Sequence, residues 1–120
     1  MKLFISFLLI SVFYYSHGQN WKAFGVMNNV PRCFYEDTMN NKLIIGGNFS
    51  LFNSDTAFGV VSWDGTSFKK MGCGFNVLCS SPPHPVGIYP TPSAFCYYKE
   101  TLYATGGLRY AGGLPSHGLA

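Results

Sequence analysis

The sequence repeats itself, and repetition constrains its fold more than any other feature. Residues 20–30, NWKAFGVMNNV, resemble residues 67–77, SFKKMGCGFNV, at a constant offset of 47. Trp21 answers to Phe68, Lys22 to Lys69, Phe24 to Met71, Gly25 to Gly72, Asn29 to Asn76 and Val30 to Val77. Next, CFYEDTMNNKLIIGG from Cys33 resembles CYYKETLYATGG from Cys96, with a shorter turn in the second copy. Finally GGNFSLFNSDTAFGVV resembles GGLRYAGGLPSHGLA. Gly46 and Gly47 there answer to Gly106 and Gly107 at an offset of 60, and Gly59-Val60-Val61 to Gly118-Leu119-Ala120 after a one-residue gap. A unit of about 47 residues is too small to bury its own apolar face and must stack on its neighbours.

The two offsets differ by 13 residues, and the excess has a visible source. SSPPHPVGIYPTPS, residues 80–93, holds five of the seven prolines and no periodicity. It reads as an inserted loop. Each unit otherwise divides into four short strands, expected at residues 33–36, 42–45, 58–63 and 67–71. Asn40-Asn41 turns the first into the second. Asp64-Gly65 gives a tight hairpin, since such turns need positive φ, which Gly adopts freely and Asp tolerates. No segment spaces its apolar residues as a helix does. Phe, Tyr, Val, Thr and Gly are abundant, which favours strands and turns.

Four antiparallel strands per unit, in tandem, is the pattern of a propeller blade. The order apolar strand, Gly46-Gly47, spacer, apolar strand, Trp63 resembles a kelch-type repeat. The longer form, Gly-Gly-Asn-Phe, spacer, Val-Val-Ser-Trp-Asp-Gly, then Phe-x-x-Met-Gly, is similar to repeats of secreted bacterial propeller proteins. The resemblance covers residues 19–120 apart from the insertion; the second copy departs from it with Leu108-Arg109 in place of Asn48-Phe49. It implies an all-β fold, a β-propeller of four-stranded antiparallel blades, with about one and a half to two blades present. One blade and fractions cannot close a ring, so these residues are expected to be the front of a longer protein. Residues 21–26 read as a fourth-type strand that completes the last blade.

The first 18 residues read as an export signal rather than as fold. Lys2 gives a positive start, residues 3–15 form an apolar run, and Ser16 and Gly18 sit where a signal peptidase reads. The run is short against the ~20 residues of a spanning helix, so membrane association is expected only through the cleaved signal. Cleavage after Gly18 leaves a chain that starts at Gln19, with seven Lys or Arg against five Asp or Glu. That charge is too small for a nucleic-acid partner. In an exported chain the four cysteines read first as disulfides. Cys73 with Cys79 closes a small loop, and Cys33 with Cys96 follows if the fold brings them together. No Cys-x-x-Cys spacing marks a zinc site.

Chemistry is thinly signalled. Gly46-Gly47 and Gly106-Gly107 are not followed by a helix that would cradle phosphate, and read as structural glycines at strand ends. SWDGTSF resembles the Asp-box hairpin of sialidase-like propellers, less one residue between Asp64 and Gly65, and Trp63, Asp64 and Gly65 read as structural. Glu36-Asp37 and Glu100 recur near turns, which argues for a turn role over a glycosidase pair. No nucleophile elbow or zinc-protease motif occurs. Asn48-Phe49-Ser50 is formally a glycosylation acceptor. No catalytic, cofactor-binding or metal-binding residue is legible, and no cofactor is expected. The candidate recognition element is the proline-rich loop with His84 and Tyr89, because rigid scaffolds carry function on loops. The resemblance implies a secreted or cell-surface scaffold for extracellular protein or glycan. The alternative is the N-terminal part of an extracellular propeller enzyme, an oxidase or a glycan-active one, whose active site lies beyond Ala120.

Overall fold

The computed structural model describes residues 21–23, 25–75 and 90–120. These residues form ten strands and no helix, and every strand pairing is antiparallel. The first sheet has the order β1 (Pro31–Asp37), β2 (Lys42–Gly47), β5 (Val60–Trp63), β6 (Phe68–Lys70). Between β2 and β5 the chain makes a small separate hairpin, β3 (Leu51–Phe52) with β4 (Asp55–Thr56). The second sheet pairs β7 (Thr91–Tyr98) with β8 (Thr101–Gly107), and a second small hairpin follows, β9 (Tyr110–Ala111) with β10 (Leu114–Pro115).

The centre of the first sheet is apolar on consecutive residues because both its faces are covered. Ile45 and Val61 point to one face, where they pack with Phe49, Phe52 and Ala57; Met27, Leu43 and Phe68 close the edge of this core. Ile44 is buried on the other face, opposite Tyr35 and Ser62. The second sheet lies against that side. The ring of Phe95 occupies the place where a side chain on Gly46 would stand, and Tyr97 stacks on Tyr35 at 6.3 Å. Asn40 joins the layers: its Nδ2 donates to Asp37 Oδ2 at 2.7 Å and to the Tyr97 hydroxyl at 3.3 Å.

The small hairpins fall in the spacer of the sequence repeat, where no strand was expected. Their turns explain them. Asn53 and Ser54 both have positive φ, 47° and 72°, and Gly112 and Gly113 repeat this with 56° and 85°. Two successive left-handed residues make the turn whose twist suits a two-residue hairpin. Lys99 and Glu100, with φ of 46° and 62°, close β7 onto β8 in the same way.

Register relates the two sheets more closely than sequence matching does. From β2 onward the equivalence is a constant 59 residues, without a gap. Gly47 donates to the Gly59 carbonyl at 3.0 Å as Gly106 does to Gly118 at 3.1 Å. Ala57 donates to Ser50 at 2.9 Å as Ser116 does to Arg109 at 2.7 Å. Phe49 and Leu108, at the same offset, are both buried. The expected match of Gly46-Gly47 to Gly106-Gly107 is therefore out by one. Gly47 corresponds to Gly106, Gly46 to Thr105, and Asn48 to Gly107. On the first strands Pro31 pairs with Gly47 and Pro92 with Gly106, and each proline is followed by a one-residue irregularity. Phe34 thus corresponds to Phe95, and Tyr35 to Cys96.

Three further expectations change. The described residues among 21–26 form no strand; Val26 exchanges hydrogen bonds with Asn53, at 2.9 Å and 2.8 Å, and Met27 bridges Phe52. β5 begins at Val60 rather than Phe58, because Phe58 and Gly59 are left-handed at 41° and 84°. The inserted loop is shorter at its far end than residues 80–93, since Thr91, Pro92 and Ser93 belong to β7.

Candidate functional site

Among the described residues a cleft of about 740 Å³ lies between the β3–β4 and β5–β6 hairpins. Phe52, Phe68 and Trp63 form its floor, with ring centres 4.1 Å and 4.3 Å apart along the row. Asp55, Lys69 and Lys70 stand on its rim. An aromatic floor under a mixed-charge rim has the chemistry of a glycan or peptide groove. Its position in the repeat says otherwise. Phe52, Asn53 and Val61 correspond to Ala111, Gly112 and Ala120. Those three line a 230 Å³ space between the two sheets, closed from the first sheet by Val60, Met71 and Phe75. The groove is therefore the counterpart, in the first sheet, of the space between the two sheets. The segment ahead of β1 enters it in the manner of the chain after β6. Asn53 donates to the Val26 carbonyl at 2.8 Å, and Gly112 donates to Gly74 at 3.0 Å. Asn28 pins this entry: its Oδ1 accepts from the Ser50 and Leu51 amides, both at 3.0 Å.

Asp64 is committed to its turn. The loop runs from Asp64 to Ser67 between the paired Trp63 and Phe68, and Gly65 at its tip has φ 95°. Oδ1 accepts from the Thr66 amide at 2.9 Å, the Thr66 hydroxyl at 2.9 Å and the Ser67 amide at 2.8 Å. Oδ2 accepts from the Ser67 hydroxyl at 2.9 Å and lies 3.7 Å from Lys69 Nζ. The amides of Ser67 and Thr66, followed by their hydroxyls, hold this carboxyl far below the ordinary carboxylate range. All these donors favour the ionised form, so the group is an acceptor and not a proton donor.

Cys33 and Cys96 are free thiols, and the expected bridge between them is not formed. Strand alternation is the reason. Phe95 and Tyr97 face the first sheet, so Cys96 between them faces away and is exposed. Cys33 lies 3.6 Å from the Pro92 carbonyl, and burial raises its thiol pKa above the ordinary value. Cys73 follows β6; its expected partner Cys79 lies outside the described residues, as do His84 and Tyr89 of the candidate recognition loop.

The two ends of that loop are described, and they meet. A side chain on Gly59 would stand 2.7 Å from Pro90 Cγ and 3.2 Å from Phe75 Cδ2, and the Phe75 amide donates to the Phe58 carbonyl at 2.9 Å. Pro92, two residues on, is fully buried. Among the described residues no three His, Cys, Asp or Glu side chains converge to hold a metal ion. No protein-family model, curated protein or solved structure matches this chain.

Proposed function

We propose that this chain is an exported, kelch-like propeller segment that serves as a binding scaffold for extracellular protein or glycan. One observation carries the reading. Two sheets share a register, a proline-led first strand and a following small hairpin, and they stack one on the other as tandem units do. Repeats of this kind build rigid frames whose loops are free to vary. The groove with the aromatic floor belongs to that frame, so recognition falls to the loops. The segment between Phe75 and Pro90, which carries His84 and Tyr89, is the first choice. Export through residues 1–18 places the scaffold outside the cell.

The test is direct. The immobilised chain is screened against extracellular glycans and matrix proteins, beside a variant lacking residues 86–89. Pro90 and Pro92 are kept because both are packed. The reading expects binding that the deletion abolishes. Binding that survives the deletion moves the site to another loop, and a chain that engages nothing refutes the scaffold. N-terminal sequencing of the exported protein is expected to begin at Gln19; an intact Met1 refutes the signal.

A further inference from the structure

The two sheets show what a face of this repeat is made to receive. Phe95 of the second sheet projects onto the first, where its ring atoms lie 2.6 Å and 2.7 Å from the point a Gly46 Cβ would occupy. The ring also stacks on Phe75 at 6.4 Å. Its partner across the strand pair is Ala104, which is buried. In the first sheet the corresponding pair is Phe34 with Ile45. Ile45 is 1 % exposed, yet Phe34 beside it is 59 % exposed. The same projecting ring is thus covered in one unit and uncovered in the other.

The opposite face gives the second half of the comparison. Where the first sheet has Gly46, the second has Thr105, which is exposed. A ring seated as Phe95 is seated would strike the Thr105 Cβ, because such a ring needs the space of a missing side chain.

We infer that the Phe34 face of the first sheet docks a further antiparallel sheet of this repeat type that carries glycine at the Gly46 register. Thr105 bars the second sheet of another copy from that role. The inference rests on the repeat equivalence, and on the propeller reading only in that a propeller supplies such a sheet. The occupant is identified by its lock, one glycine on the second strand, with a small or apolar residue beside it. The contact is heterologous, so a chain holding both halves would join head to tail and grow with concentration rather than stop at a dimer.

Sedimentation velocity on the full chain tests this with Thr105→Gly and Thr105→Ala. Only the glycine variant removes the Cβ. It is expected to self-associate at least tenfold more tightly than the alanine variant, in a concentration-dependent series, and Phe34→Ser in the same chain is expected to reverse it. Equal behaviour of the glycine and alanine variants overturns the inference. So does association that Phe34→Ser leaves intact, and so does a wild-type chain that already associates through Phe34. Glycine weakens a strand interior. If the circular dichroism of Thr105→Gly shows lost sheet, the comparison is repeated in the Glu100→Gly background, where the relieved turn offsets that loss. None of these outcomes depends on whether the loops bind a ligand.

Discussion

Substituting Gly46 by alanine tests how the two sheets are held together. The added Cβ would lie 2.6 Å and 2.7 Å from ring atoms of Phe95 and 2.8 Å from Cys33 Sγ. Ordinary carbon contacts begin roughly 1 Å further out, and a packed interior gives only partly. Overpacking of this kind costs about 2 kcal/mol. In a domain of this size each kcal/mol moves Tm by about 4–8 °C, so a fall of about 10 °C is expected in a thermal melt. Phe95→Ala removes a half-buried ring and costs about 2 kcal/mol by itself. The informative quantity is the double variant. If the ring is what the new methyl strikes, Gly46→Ala adds little once the ring is gone, and the pair falls short of additivity by about 1 kcal/mol or more. The remaining contact with Cys33 keeps the recovery incomplete. Strict additivity, or a Gly46→Ala chain that melts with wild type, would refute this account of the interface.

Three other outcomes are expected. Asp64→Ala should lower Tm at neutral pH, and the wild-type advantage should fade under acid. The folded carboxyl is held below its unfolded value of about 4, so its contribution is full above that pH and is lost as pH falls toward the folded value; melts at pH 7 and pH 3 check the sign. Glu100→Gly should stabilise the chain by about 0.5–1 kcal/mol in denaturant melts, because a non-glycine residue there holds a left-handed φ of 62°. Maleimide should label Cys96 quickly and Cys33 slowly in the folded chain, since the first thiol is exposed and the second is half-buried with a raised pKa. Peptide mapping that finds a Cys33–Cys96 bridge would contradict the placement of β7.

Particular residues explain how far the sequence carried. Ile44-Ile45 and Val60-Val61 are apolar and β-branched, and both lie in the central strands. The small hairpins were hidden because two-residue strands have no periodicity, and because Asn53-Ser54 is a weak turn signal without glycine. Matching double glycine to double glycine misled by one position. What equivalent residues share is a hydrogen bond, Gly47 to Gly59 and Gly106 to Gly118, not a letter pair. A slip of two positions matched Cys33 to Cys96 in the repeat, whereas the register makes Ala94 the counterpart of Cys33. The aromatic groove was not foreseen, since its residues are scattered over two hairpins that only the fold brings together.

Phe75 and Pro90 have one more consequence. Because both stand against Gly59, the chain leaves the frame and rejoins it at almost the same point. Closing a longer excursion between fixed ends costs only about 0.6 kcal/mol for each doubling of its length. The flanking strands do not register how much sequence lies between those two residues. This joint is therefore where the molecule can acquire new sequence without renegotiating its fold.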